Sequence, residues 1–150
     1  MRDFTYELDK ALNLDEEYLY EMAIINPRMC RGLTIQVEIE QRGEGPIPYV
    51  HVYHNKSRNP RECSCVRLDK AEYTVHHKTE KPLPRKLKHQ FIELMNTPSG
   101  EYMKNKNGEI VELNGHQVAV KIWRATYGDD YSLFNFDSDG IPITPDYEKL

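Results

Sequence analysis

The sequence predicts a single α+β domain, built on a small, mainly antiparallel sheet of three to five strands with flanking helices. Three observations support this class. One stretch alternates apolar and polar residues, glycines and prolines separate short strand-like runs, and two later runs repeat apolar residues at helical spacing. A chain of 150 residues is long enough to bury one core. We expect an acidic helical N-terminus (1–26), a sheet (33–77), helices at about 84–96 and 116–127, and a C-terminal tail that wraps the surface (128–150).

Apolar residues near the N-terminus recur with the period of an α-helix. Residues 4–12 place four apolar side chains on one face, and the acidic run Asp15–Glu17 opens a second apolar stretch. Acidic residues in a first turn suit the helix dipole. The pattern therefore predicts one broken helix or two short helices before Pro27.

The clearest strand pattern covers residues 33–40, where four apolar residues alternate with polar ones: Leu33, Ile35, Val37 and Ile39. Such alternation predicts a strand with one buried face and one solvated face. After a turn rich in glycine and proline, further strands are predicted over 49–54 and 63–68, and a shorter one over 73–76.

Two helices and a hairpin are predicted in the second half of the chain. Pro82 and Pro84 introduce a helix over 84–96, and a second run with helical spacing covers 116–127. Between them, the tight-turn dipeptide Asn107-Gly108 separates two short apolar runs, which predicts a hairpin.

The composition excludes several classes of protein. With 39% hydrophobic and 29% charged residues, the chain has neither a disordered nor a collagen-like bias. No apolar run approaches the roughly 20 residues that span a bilayer. The N-terminus lacks the apolar segment of a secretory signal. Three cysteines, an odd number, then indicate reduced thiols and a cytoplasmic location.

The net charge of −4 is unevenly distributed. Residues 1–24 hold seven acids against two bases, and residues 128–150 hold six acids against one lysine. These acidic ends could be solvated, could pack on the basic middle of the chain, or could contact a host protein with a basic surface. The basic stretch 78–88 lacks interleaved aromatic residues, so we expect no direct binding of nucleic acid. The candidate partner-binding residues are Asp15, Glu16, Glu17, Glu21, Asp129, Asp130, Asp137 and Asp139.

Histidine and cysteine are concentrated in one part of the sequence. Six of the nine such residues fall within 27 positions: His51, His54, Cys63, Cys65, His76 and His77. Imidazole and thiolate are the ligands that zinc prefers, so this crowding predicts a zinc site.

The predicted strands bring part of this cluster together. If 49–54 and 63–68 pair so that their valines share a core face, His51 shares the opposite face with Cys63 and Cys65. His76 or His77 could then complete a tetrahedral set, and a closed site of this kind would be structural.

Other interpretations of the cluster stay open. Both cysteines could be small core residues without a metal, and His54, on the opposite face, is expected near a surface loop. A cysteine nucleophile, Cys63 with His51 or His76, would lie on a strand, without the activation that a helix N-terminus provides. A catalytic zinc would need an open coordination position and a nearby base. Elsewhere in the chain, Asp137–Gly140 resembles the start of a calcium-binding loop, but its sequence fits a turn better.

The strand Pro48–Tyr53, the loop and strand that follow it, and the helix Leu87–Met95 resemble an uncharacterised bacterial and phage domain family. That family carries a proline-led strand of the pattern H-x-H-V, in which His51 matches the second histidine and Tyr49 replaces the first. The resemblance covers roughly residues 33–97. Genes of this family often occur in pairs typical of toxin–antitoxin modules or mobile elements, and the resemblance implies such a context here.

Together these patterns predict a non-enzymatic inhibitor of the phage or mobile-element type. By analogy with anti-CRISPR proteins, it would bind a nucleic-acid-handling host protein, for example a CRISPR effector nuclease, and a structural zinc would stiffen its sheet. The alternative is a toxin–antitoxin component, either a small hydrolase that uses His51 with a cysteine or its neutralising partner. A third hypothesis is a metal-free interaction domain.

Overall fold

The computed structural model of the chain describes residues 22–24, 33–40, 47–55, 59–74, 81–127 and 134–150. In chain order, its elements are β1 (Met22–Ile24), β2 (Gln36–Glu40), β3 (Tyr49–Tyr53), β4 (Cys63–Arg67), α1 (Arg85–Asn96), β5 (Pro98–Lys104), β6 (Ile110–Asn114) and α2 (Gly115–Tyr127). Two helices and antiparallel strands within these ranges confirm the predicted α+β class. None of the helices in the described ranges is both long and apolar enough to cross a membrane.

The strands form two antiparallel sheets. Strands β1 to β4 lie side by side in chain order, and β5 pairs with β6 in a separate hairpin. The three longer predicted strands therefore correspond to β2, β3 and β4. Of the predicted fourth strand, Tyr73 forms a single bridge with Val66, while its last two residues lie outside the described ranges.

The N-terminal segment differs from the prediction. Met22–Ile24, assigned above to the helical N-terminus, form a strand that pairs with the edge of β2, with Ala23 opposite Ile39. An unpaired sheet edge leaves backbone donors and acceptors without partners, and this pairing satisfies them. The remainder of the predicted helical segment, residues 1–21 and 25–26, lies outside the described residues.

One face of strands β2, β3 and β4 is apolar apart from Ser64. The strand registers bring together alternating residues of β2, β3 and β4 on this face: Val37, Ile39, Val50, Val52 and Val66. All five are fully buried and belong to the same core as Phe91 of α1 and Ile122 of α2. The apolar alternation in the sequence therefore predicted this face correctly.

Glu38 is buried on the opposite face of the sheet, which corrects the prediction of a solvated side at this residue of β2. Glu38 of β2 and His51 of β3 are 0% and 3% exposed, although both belong to polar residue types. Helix α2 contributes to the burial at the start of β3, because the ring of Trp123 lies 6.0 Å from that of Tyr49, centroid to centroid. Polar groups on this face must therefore find their partners inside the protein.

The second half of the chain matches its predicted elements. Helix α1 buries three residues of its predicted apolar face, Phe91, Leu94 and Met95, and the hairpin turns at Gly108 with a φ of 80°. Helix α2 begins at Gly115, directly against the last turn of α1. A Cβ atom at this position would collide with the backbone carbonyl of Leu94, so the close approach of the two helices requires glycine.

The described part of the C-terminal segment contributes Phe134 and Tyr147 to the core. Tyr147 is 1% exposed, and its hydroxyl lies 2.7 Å from Nδ1 of His116, on the first turn of α2. Lys88 of α1 donates hydrogen bonds to the backbone carbonyls of Glu148 and Leu150, at 2.7 and 2.6 Å. Tyr147 thus fills a core position that its spacing did not indicate, and the wrapping of the surface by residues 128–150 stays a prediction.

Candidate metal centre

The pairing of β3 with β4 brings the predicted ligands together. In this antiparallel register His51 lies directly opposite Cys65, and Tyr53 lies opposite Cys63. Side chains alternate across a strand, so the two cysteines, two residues apart, lie on one face together with the imidazole. The sequence predicted this arrangement, because pairing the valines of β3 and β4 on the core face puts His51 and both cysteines on the opposite face.

The distances between the ligand atoms suit a metal ion. Nδ1 of His51 lies 3.4 Å from Sγ of Cys65 and 3.7 Å from Sγ of Cys63. The three ligand atoms all lie within 4.8 Å of one another. In a tetrahedral site with Zn–S of about 2.3 Å and Zn–N of about 2.0–2.1 Å, neighbouring ligand atoms are roughly 3.6–3.8 Å apart. The three residues could therefore bind a metal ion.

The candidate site is buried. His51 is 3% exposed, and Cys63 and Cys65 are each 1% exposed. Two aromatic rings of β3 hold the imidazole in place: Tyr53 stacks on it at 6.0 Å, and Tyr49 meets it edge-on at 5.3 Å. Such a setting favours an ion that the protein encloses over one that a substrate must reach.

Two described residues that follow β4, Thr74 and Lys81, are hydrogen-bonded to its edge. The backbone N–H of Thr74 donates to the carbonyl of Cys65 at 2.9 Å, and that of Lys81 donates to the carbonyl of Cys63 at 3.0 Å. The predicted fourth ligands, His76 and His77, lie between these anchors in sequence but outside the described residues.

His54 lies apart from the site, on the opposite side of β4, as the predicted register implied. Its Nε2 lies 2.8 Å from the hydroxyl of Ser64, which in turn donates to the carbonyl of Lys81. Burial lowers the pKa of His54, against the opposing effect of Glu62. Because the Ser64 hydroxyl is fully buried and already donates to a carbonyl, this pair stabilises the edge of β4 and does not form a nucleophile.

Three carboxylates close to the cysteines in sequence, which would be candidate bases for a catalytic zinc, have other partners. Asp69 accepts two hydrogen bonds from Arg67, at 2.8 and 2.6 Å, while Glu62 accepts one from Asn55 and Glu72 lies 3.6 Å from Lys70. Within the described part of the chain, His51, Cys63 and Cys65 are the one group of histidine, cysteine and acidic residues close enough to hold an ion.

Two of the predicted partner-binding acids are described. The Asp137 carboxylate accepts hydrogen bonds from the backbone N–H groups of Asp139 and Ile141, each at 2.9 Å, and so forms the predicted turn. Asp139 accepts a hydrogen bond from Asn107 at the hairpin tip. The remaining candidates lie outside the described residues: Asp15, Glu16, Glu17, Glu21, Asp129 and Asp130. A role of these acids in partner binding stays a prediction.

Sequence reasoning missed Glu38. This residue is fully buried, and it lies opposite His51 on the face that carries the cysteines. The same parity argument that placed the cysteines could have found it. Aligning the apolar side chains of β2 with Val50 and Val52 puts Glu38 on the face of His51 in any register.

The comparisons with known proteins identify no relative. No protein-family model matches the chain, and neither a curated protein nor a solved structure matches it. The resemblance to the bacterial and phage family therefore stays a prediction.

Proposed function

We propose that the protein binds one zinc ion through Nδ1 of His51 and the thiolates of Cys63 and Cys65, and that this ion stabilises the sheet. The observation that carries the proposal is the spacing of the three ligand atoms, 3.4 and 3.7 Å from nitrogen to sulfur. These values bracket the roughly 3.6 Å expected between nitrogen and sulfur ligands of tetrahedral zinc.

The ligand set supports zinc over the other common metals of proteins. Two thiolates and one imidazole are soft or borderline donors, which magnesium, calcium and manganese disfavour. Zinc binds such donors tetrahedrally and needs no redox chemistry. Copper(I) and iron also accept thiolate, so metal analysis of the protein has to distinguish zinc from these two metals.

The position of the ligands supports a structural role. All three are buried, and they join two neighbouring strands. In a site of this kind, the free energy of metal binding adds to the free energy of folding. The ion would hold β3 and β4 in register, together with the edge segment that follows β4.

His76 or His77 would supply the fourth ligand. Thr74 and Lys81 are bonded to carbonyls only two residues apart on β4, those of Cys65 and Cys63. The six residues between these anchors exceed what a regular neighbouring strand requires. Both histidines belong to this connection, which begins and ends beside the two cysteines.

The test is metal analysis of the purified full chain. We expect close to one zinc per chain, lost in the Cys63→Ser/Cys65→Ser double variant and in His51→Ala. His89→Ala is the matched control, because His89 is exposed on α1, and it should retain the ion. Cys30→Ser tests whether the third cysteine contributes. Copper or iron in place of zinc would correct the identity of the metal, and a chain without metal after zinc-supplemented expression would refute the proposal.

Substitutions at the two histidines identify the fourth ligand. We expect His76→Ala or His77→Ala, but not both, to lower the zinc affinity strongly. Cobalt(II) gives a direct readout, because its absorption reports both tetrahedral geometry and thiolate coordination. Unchanged cobalt spectra in both variants would assign the fourth position to another ligand.

A zinc-stiffened scaffold is compatible with the inhibitor role predicted from the sequence. That role rests on the acidic ends of the chain, and most of their acids lie outside the described residues. Its test is capture of a nucleic-acid-handling host protein. Binding of such a partner through complementary charge should weaken as the salt concentration rises.

A further inference from the structure

The chain contains two asparagine–glycine dipeptides, Asn107-Gly108 and Asn114-Gly115. The first lies at the hairpin tip between β5 and β6, and the second joins the end of β6 to the start of α2. An asparagine side chain followed by glycine can cyclise onto the backbone, because glycine has no Cβ atom to obstruct the approach. Since both dipeptides consist of the same two residues, a difference in their reactivity has to come from the fold.

The dipeptide at the hairpin tip is open to solvent. Asn107 and Gly108 are both exposed, and a Cβ atom on Gly108 would meet nothing within 4 Å apart from its chain neighbours. The backbone N–H of Gly108 donates to the carbonyl of Asn105 at 3.1 Å, and the side-chain amide of Asn107 donates to Asp139 at 3.3 Å. Both bonds lie at the exposed end of a two-stranded sheet, where local opening costs little free energy. The reacting groups of Asn107 and Gly108 are therefore accessible once the tip opens.

The second dipeptide is held by hydrogen bonds on every polar group that would react. Oδ1 of Asn114 accepts from the backbone N–H of Gln117 at 2.9 Å, and Oε1 of Gln117 accepts from the backbone N–H of Asn114 at 2.8 Å. This reciprocal pair is the capping box of α2. Nδ2 of Asn114 donates to Thr144 at 2.9 Å, and the backbone N–H of Gly115 donates to the carbonyl of Thr97 at 3.2 Å. Cyclisation of Asn114 would break the last two bonds, so it requires the start of α2 to open.

We propose that Asn107 is a site of spontaneous covalent modification in the folded protein, whereas Asn114 is protected from the same reaction. The backbone nitrogen of Gly108 loses its proton to hydroxide and attacks Cγ of Asn107. A C–N bond forms, the Cγ–Nδ2 bond breaks, and Nδ2 leaves as ammonia after taking a proton from water. Addition of one water molecule to either carbonyl of the cyclic imide then yields aspartate or isoaspartate at position 107.

The modification changes the contact between the hairpin tip and the C-terminal segment. Nδ2 of Asn107 donates to the carboxylate of Asp139, whose backbone carbonyl accepts a hydrogen bond from the N–H of Lys106 at 2.9 Å. Deamidation replaces the donor with a carboxylate, so that two negative charges face each other. Repulsion between exposed charges is modest, because water screens it. The reaction therefore weakens the link between the tip and the turn Asp137–Gly140 without unfolding the core.

Peptide mapping by mass spectrometry of the aged full chain provides the first test. Incubation in a mildly alkaline buffer should convert Asn107 first. Asn114 should react more than about tenfold more slowly, because a packed segment opens far less often than an exposed tip. In concentrated urea, where the fold is absent, the two rates should become similar. Equal rates at the two asparagines in the folded protein, or an Asn107 that reacts only in urea, would overturn the proposal.

The variant Asn107→Gln is the matched control for the chemistry. Glutamine keeps a side-chain amide at the same exposed position, but its cyclisation would require a larger ring and is therefore much slower. The ammonia that the folded chain releases during the incubation should fall several-fold in this variant. An unchanged release of ammonia would place the reaction at another residue and refute the assignment to Asn107.

The variant Asn107→Asp reproduces one product of the reaction and tests its effect on the turn. We expect an unfolding temperature lower by about 1–3 °C and partly recovered at high salt, because the repulsion is small and screened. Asp139→Asn in the same chain should recover most of the loss, since it removes one of the two charges. A decrease that neither salt nor Asp139→Asn reverses would contradict the predicted repulsion, as would the absence of any decrease.

Discussion

Two histidines are equally buried in this protein but have different partners. His51 and His116 are 3% and 1% exposed. Nδ1 of His51 lies between two cysteine sulfurs, whereas Nδ1 of His116 lies 2.7 Å from the hydroxyl of Tyr147. Burial alone therefore does not indicate a metal site, because the same burial also accommodates a simple hydrogen bond.

The partner decides what each imidazole can do. Burial lowers the pKa of His116 to about 3, and burial, followed by the charge of Asp69, raises the pKa of the Tyr147 phenol well above its usual value. Both groups therefore stay neutral near pH 7, and the pair acts as a link between α2 and the C-terminal segment. The two thiols beside the His51 imidazole can instead release their protons when they bind a metal ion as thiolates.

Removal of zinc from the His51 site should give the largest change in the free energy of unfolding. With free zinc at about 1,000 times its dissociation constant, the ion contributes about 4 kcal/mol to the free energy of unfolding. A strong chelator should remove this contribution, as measured by urea unfolding. The Cys63→Ser/Cys65→Ser variant should not respond to the chelator. An equal response of this variant would show that the metal acts elsewhere.

Low pH should destabilise the folded protein through His116. Its pKa in the folded protein, about 3, lies below the 6.5 of the unfolded chain, so between these values the unfolded state binds a proton that the folded state does not. The contribution of neutral His116 to the free energy of unfolding is therefore fully present above pH 6.5. Below pH 6.5 the free energy of unfolding falls by up to about 1.4 kcal/mol per pH unit. The measurement is unfolding as a function of pH.

The variant His116→Gln isolates this effect. Protonation of His54 and of the zinc ligands should lower the stability of both proteins in acid, so the difference between their pH profiles belongs to His116. Parallel profiles of wild type and His116→Gln would contradict the assignment.

Tyr147→Phe should destabilise the protein by about 1–3 kcal/mol, because it leaves Nδ1 of His116 buried without its hydrogen-bond partner. The zinc content should not change, since this pair is separate from the metal centre. Tyr102→Phe, at an exposed position of the hairpin, is the matched control and should be nearly neutral. A loss of zinc in Tyr147→Phe would show that the two sites are coupled.

The smallest effect is expected in alkali. The raised pKa of Tyr147 means that, above about pH 10, the unfolded chain loses a phenol proton that the folded protein keeps. Stability should therefore fall as the pH rises past 10, and Tyr147→Phe should lack this part of the decline. Thermal unfolding at increasing pH measures it, and identical profiles of the two proteins would refute it.

The comparison also indicates how much of the candidate site the sequence predicted. His51, Cys63 and Cys65 were found from local alternation, because Val50, Val52 and Val66 must share a core face. Glu38 was missed because its strand was expected to have a solvated side. The link between His116 and Tyr147 was missed as well, since the two residues are 31 positions apart and no spacing relates them.

The sequence by itself determined the α+β class, the limits of the longer strands and helices, and the side of β3 and β4 on which the sulfurs lie. These features follow from periods of 2 and 3.6 residues, which are local. Only the tertiary structure decided that Met22–Ile24 join the sheet, that Glu38 and His51 are buried, and that Tyr147 is the partner of His116. Burial and partner choice depend on segments distant in the chain, and no local period records where those segments pack.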